Sequence, residues 1–97
     1  MMNKYEMMFI VKANADEKAI TNTAKSLKDI ITTMKGKITN EQDLGSKELA
    51  YPIKKENVGY YFVVNFEATA EIVAELDRKA RIDESVLRHL IIRLDEE

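Results

Sequence analysis

"ELAYPIKKENVGYYFVVNFEA", Glu48–Ala68, holds two strand-like runs around a polar turn. The first run contains Pro52 and then turns basic at Lys54 and Lys55. Proline has no N–H to give to a sheet ladder, so this run belongs on a sheet edge with that position facing outward. "KKENVG" is the turn. The second run, Gly59–Ala68, is the strongest strand in the chain, dense in aromatic and β-branched residues. Phe62, Val64 and Phe66 share one face, and Tyr61, Val63 and Asn65 share the other. A strand apolar on both sides reads as central.

Upstream, "KITNEQDLGSKELAYPI" extends the edge strand back to Lys37, with Gly45 marking a bulge. "KYEMMFIVKA" runs from Lys4 to Val11 without a breaker. Met7, Phe9 and Val11 alternate with Glu6, Met8, Ile10 and Lys12, so both of its faces carry apolar side chains and it too reads as central. Between these strands, Asn14 with Glu17 resembles a capping box. Ile20, Ala24, Leu27, Ile31 and Met34 then form a helical stripe that stops at Gly36, which predicts a helix over about residues 16–35.

Downstream, Thr69 caps a second helix with Ile72, Leu76 and Ala80 on one stripe. Glu71 and Glu75 sit early and Arg78, Lys79 and Arg81 late, which suits the helix dipole. "DES" turns the chain into "VLRHLIIRL", a fourth strand. For that strand, Leu87, His89 and Ile91 compete with Leu90, Ile92 and Leu94 for the core side, and the pattern does not choose between them. The order β-α-β-β-α-β predicts an α+β, ferredoxin-like split-βαβ domain over residues 1–97. Its four-stranded antiparallel sheet has the order 4-1-3-2, with both helices on one face.

The chain has 97 residues, 45% hydrophobic and 33% charged, which fits one globular domain. It has no cysteine, which excludes disulfides, thiol nucleophiles, CxxC redox pairs and thiolate zinc sites. No apolar run is long enough to span a bilayer, and no signal peptide is expected. Net charge is −2, which by itself argues mildly against nucleic acid. The distribution says more. Lys35–Lys55 carries five lysines against Glu41, Asp43 and Glu48, a local +2, and leaves −4 for the rest. An acidic protein can thus present one basic edge.

Catalytic signals are sparse. His89 is the single histidine and has no nucleophile or carboxylate partner at a motif spacing, so it reads as a structural or surface strand residue. The glycines stand singly, without a phosphate-cradling loop. An acylphosphatase-like activity on this fold would need an arginine in the loop after strand one, which here reads "KANADE". No enzyme, cofactor or metal is expected. The sheet face away from the helices is more informative. Met8, Ile10, Tyr61 and Val63 would project from its centre, and an apolar patch on an uncovered sheet marks a partner surface. The competing reading is ordinary scattered surface hydrophobicity. An RNA-recognition motif would need paired aromatics with a basic-Gly-aromatic signature, which "GYYFVVNF" lacks.

"KYEMMFIVKAN", "LGSKELAYPIKKENVGYYFVVNFEA" and "LDRKARIDESVLRHLIIR" together resemble the bacterial ribosomal small-subunit protein six family, from Lys4 to about Arg93. The resemblance implies a ferredoxin-like fold and a structural role on the ribosome in the cytoplasm. It implies binding to the central domain of small-subunit ribosomal RNA together with a heterodimer partner, small-subunit protein eighteen. It implies no enzymatic activity and no cofactor. Lys4, Lys47, Arg88 and Arg93 match basic family positions and Lys54 and Lys55 add positive charge at the edge strand's turn, so the residues expected to face RNA are Lys4, Lys47, Lys54, Lys55, Arg88 and Arg93. The family's two adjacent basic residues before Leu-Ala-Tyr are here Lys47 and Glu48, so contact there should be weaker. The basic family start before Tyr-Glu is here Asn3-Lys4, so one charge remains. The apolar patch of Met8, Ile10, Tyr61 and Val63, or an adjacent sheet edge, would serve the protein partner. A charged residue at Ile10 or Tyr61 should then abolish the heterodimer and leave the fold intact. The isolated chain is expected to be a monomer. Some members carry a long C-terminal tail; this sequence closes on "LDEE", and no tail function is expected.

The alternative is a non-ribosomal ferredoxin-like interaction module that dimerises through its sheet. A ligand-binding regulatory domain stands third.

Overall fold

The computed structural model describes residues 2–13, 17–53 and 55–94. The elements are β1 (Asn3–Lys12), α1 (Glu17–Thr33), β2 (Lys37–Ile53), β3 (Glu56–Ala68), α2 (Ala70–Ile82) and β4 (Val86–Arg93). The strands form one antiparallel sheet in the order β2-β3-β1-β4. This is the expected ferredoxin-like order read from the other edge, with β1 and β3 central and β2 and β4 at the edges.

Strand alternation sends every second residue of β1 and β3 toward the helices. Met7, Phe9, Val11, Val64 and Phe66 are buried there against Ile20, Ala24, Leu27 and Ile31 of α1 and Ile72, Leu76 and Ala80 of α2. Phe9 stacks on Phe62 at 5.2 Å between centroids, and Tyr5 on Phe66 at 5.7 Å. Buried Thr23 returns its hydroxyl to the Ala19 carbonyl at 3.0 Å, as a hydroxyl in a dry core must.

The helix ends follow local chemistry. Asn14, the proposed cap of α1, lies outside the described residues. At the other end the left-handed residue is Lys35 (φ 74°), one position before the expected Gly36. The Gly36 N–H donates to the Ile31 carbonyl at 2.7 Å and the Lys35 N–H to that of Thr32 at 3.1 Å, the paired bonds of a Schellman stop. Gly36 is needed for space instead: a Cβ there would stand 2.9 Å from both the Glu67 carbonyl oxygen and Ile31 Cγ2. Thr69 caps α2 as expected, its Oγ1 accepting the Ile72 N–H at 3.3 Å.

The β2–β3 hairpin decides the shape of the sheet's uncovered side. Gly45 (φ +80°) forms the expected bulge. Asp43 clamps it, with one carboxylate oxygen accepting the Gly45 N–H and the other the Tyr60 hydroxyl, both at 3.1 Å. The hairpin turn is tighter than "KKENVG" suggests, because Ile53 already pairs with Glu56 and Lys55 takes φ 68°. The polar residues after it belong to β3, which begins at Glu56. Before the turn, Leu49, Ala50, Tyr51 and Pro52 stand against Asn57 alone. Pro52 thus lies on an edge strand, in an arm looped out of the regular ladder, where a missing N–H costs nothing.

That arm reaches over the open face. Arg88 of β4 donates to the Tyr51 hydroxyl at 2.9 Å, although β2 and β4 are opposite edges of the sheet. Beneath this end, Ile10 (7% exposed) is buried without belonging to the helix-side core. Gly59 is buried between Ile10 and the arm: a Cβ there would collide with Ile10 Cγ2 and touch Leu49 Cδ2 at 3.4 Å.

β4 also carries a bulge. Ile10 pairs with Arg88 but Val11 with Val86, leaving Leu87 as the extra residue. Val86 and Leu87 are therefore both buried. Past the bulge, His89 and Ile91 lie opposite helix-facing Phe9 and Met7, while Arg88, Leu90 and Ile92 lie opposite open-face Ile10, Met8 and Glu6. The facing that the sequence left open is settled by register with β1.

Candidate nucleic-acid and partner interface

The open face divides along the strands. Near the hairpin, the row Tyr61–Ile10–Arg88 crosses β3, β1 and β4. Lys47 lies on the same face of β2 and sets its Nζ over the Tyr61 ring, 5.6 Å from the centroid. Arg88 and Lys47 are exposed, as is Lys55 at the turn. The bond to the Tyr51 hydroxyl raises the Arg88 pKa above its ordinary value. Glu48, the acid that replaces a family base, pairs with Val58 one position along from Lys47, so alternation turns it toward the other face. The open face therefore loses less positive charge than the pair Lys47-Glu48 suggests.

Two further predicted RNA residues lie at the far end. Lys4 is exposed and pairs across the ladder with Glu67, whose charge opposes it. Arg93 pairs with helix-facing Tyr5 and donates to the Asn3 side chain at 3.3 Å. From Ile10 to Lys4 is about 20 Å along a strand. Lys54 lies outside the described residues. The structure thus gathers Lys47, Lys55 and Arg88 toward one end and separates Lys4 and Arg93 from them.

The predicted partner residues share the open face, but not equally. Met8, Tyr61 and Val63 are half-buried and available. Ile10 is buried under the hairpin arm, so a charged residue there would break the fold, and the expectation that such a change leaves it intact is corrected. The exposed apolar surface lies instead on the β4 edge, at Leu90 (55% exposed) and Ile92 (43%). Leu90 pairs with Met8, which pairs with Val63, giving one continuous apolar row. Sequence reading missed Leu90 and Ile92 because it had no register for β4. The facing of Met8 on β1, carried across the ladder, would have supplied it.

His89 has a partner that no motif spacing reveals. Its Nε2 lies 2.7 Å from Asp77 Oδ1 on α2, and Arg81 Nη2 lies 3.2 Å from the other oxygen. The His89 hydrogen bond, with help from the Arg81 charge, lowers the Asp77 pKa. The pair ties α2 to β4. Among the described residues no group of three or more His, Cys, Asp or Glu could hold a metal ion, and no helix is long and apolar enough to cross a membrane.

The sequence profile of the family described as Ribosomal protein S6 matches residues 4–93. The chain belongs to the ribosomal protein S6 family. It is 44% identical to small ribosomal subunit protein bS6 of Clostridium acetobutylicum over 97% of this chain and 99% of that protein. It is 43% identical to bS6 of Alkaliphilus metalliredigens over 98% of this chain and all of that protein. The crystal structure of 30S ribosomal protein S6 from Thermotoga maritima superposes with a TM-score of 0.90 at 33% identity, covering 97% of this chain and 89% of that one. As an S6-family member the chain is a cytoplasmic, ribosome-associated component of the small subunit, with ribosomal RNA and ribosomal proteins as its partners. The family's role is structural, and the chain is not an enzyme.

Proposed function

We propose that this small-subunit protein binds the central domain of the small-subunit ribosomal RNA jointly with small-subunit protein eighteen, as a heterodimer formed from an isolated monomer. The observation that carries the reading is the division of the open face. Exposed cations gather at its hairpin end, and an uncovered apolar row, Val63–Met8–Leu90, runs to the β4 edge beside them. Lys47, Lys55 and Arg88 contact phosphates and sugars, positioning the protein without reading sequence. Lys4 and Arg93 form a second, weaker point of contact. Met8, Val63, Tyr61, Leu90 and Ile92 meet the protein partner.

A chain of net charge −2 with so few contacts binds RNA poorly alone. Joint binding solves this, because each partner raises the other's effective affinity. The test is binding to a central-domain RNA fragment with and without protein eighteen across a salt series. Tight binding only with the partner, weakening as salt rises, is expected. Equal binding with and without it would refute joint assembly. Light scattering on the isolated chain should give a monomer; a dimer would favour pairing through the β4 edge.

A further inference from the structure

Four tyrosines occur in the chain, and three of their rings have another ring or a cation against them. Tyr5 stacks on Phe66, Tyr60 packs on Phe62 and donates to Asp43, and Tyr61 lies under the Lys47 ammonium. Tyr51 differs. Among the described residues it has no ring or cation partner on its face, and it is 59% exposed. Among the described residues its hydrogen bond is at the ring's edge, where its hydroxyl accepts from Arg88 at 2.9 Å. That bond comes from a strand on the far side of the sheet and fixes the looped-out arm in place. The bond orients an exposed aromatic ring, with a guanidinium at its rim and Lys55 beyond it at the turn.

We infer that Tyr51 is a stacking platform for an unpaired RNA nucleotide, with Arg88 as its positioning residue and the neighbouring cations holding the adjoining phosphates. The inference rests on the RNA-binding reading above and adds a contact of a different kind to it. Duplex RNA offers phosphates and sugars but hides its base faces, whereas an unpaired base can lie flat on an aromatic ring. Packing alone does not account for Tyr51, since a side chain more than half exposed adds little to burial. Fixing the ring in advance lowers the ordering cost of binding.

The direct test is an NMR titration of the wild-type chain with a single-stranded adenylate hexamer at low salt. The Tyr51 ring protons should move upfield, the signature of a base stacked over them, while those of Tyr5 on the helix side stay in place. A duplex of matched charge should move Lys47 and Arg88 resonances without the Tyr51 ring shift. If the hexamer moves the cations and leaves the Tyr51 ring unmoved, the platform is refuted and charge contact alone remains.

The second test uses the central-domain RNA fragment with protein eighteen. Tyr51→Leu should weaken binding about five- to hundredfold with an unchanged salt slope. Tyr51→Phe, which keeps the ring, should lose less. Arg88→Gln should lower the salt slope by about one. Tyr51→Leu binding as tightly as wild type would overturn the inference while leaving the RNA reading intact. Wild type failing to bind the fragment under any condition would sink that reading, and this inference with it. Weakened association of Tyr51→Leu with protein eighteen in the absence of RNA would assign the ring to the protein contact, again overturning the proposal.

Discussion

The two faces of the sheet are made from the same strands, yet one is a closed core and the other is a surface with one closed end. On the helix side, Met7, Phe9, Val11, Val64 and Phe66 are all nearly inaccessible. On the other side Ile10 reaches that state, and it does so where the Tyr51 arm crosses over it. Further along, Met8 and Val63 are half-buried and Leu90 and Ile92 exposed. Apolar residues thus have three fates within one sheet. They are covered by helices, covered by the chain's own hairpin, or left for a partner.

The sharpest way to break this comparison is in the helix-side core. Phe66→Ala should cost about 3–5 kcal/mol in denaturant unfolding, with the midpoint falling sharply. Next is the hairpin-covered end. Ile10→Ala should cost about 2–5 kcal/mol even though Ile10 faces away from both helices. A loss below about 1 kcal/mol, the range of an ordinary surface change, would mean that the arm does not cover Ile10 in solution. Smaller still is the uncovered row. Leu90→Glu should change stability by no more than about 0.5 kcal/mol and yet abolish association with the protein partner, read by co-sedimentation.

The smallest effect is on the helix side, at the tie between α2 and β4. The Asp77 pKa is depressed in the folded chain, so its contribution is present above the ordinary carboxylate value of about 4 and is lost as pH falls through the lower folded value. Because 45% of the Asp77 side chain is accessible, solvent screens the pair and the effect stays under about 1 kcal/mol. Asp77→Asn should flatten the acid limb of the stability–pH curve by that amount. An unchanged limb would mean the His89 contact is not maintained in solution.

Much of this was legible along the chain because it depends on near neighbours. The alternation in Met7–Val11 and Phe62–Phe66, the stripes from Ile20 to Ile31 and from Ile72 to Ala80, the Thr69 cap and the Gly45 bulge are local patterns, and each takes its expected place. Where local reading went astray, a distant partner intervened. Gly36 looked like the left-handed stop, but Lys35 takes that conformation while the Glu67 carbonyl and Ile31 crowd Gly36. "ENVG" looked like turn but pairs as strand because Ile53 reaches Glu56. His89 looked unpartnered because Asp77 sits on another element.

The sequence alone determined the βαββαβ order, the central and edge strands, and the family, since periodicity and motif content are carried by adjacent residues. The tertiary structure alone decided which cations share a surface, why Ile10 is closed while Leu90 is open, and how Tyr51 comes to rest on Arg88. Those outcomes depend on strand register and on two bulges, at Leu87 and in the Leu49–Pro52 arm. One residue of slip in either would turn the following side chains to the opposite face, and only pairing between distant strands fixes that choice.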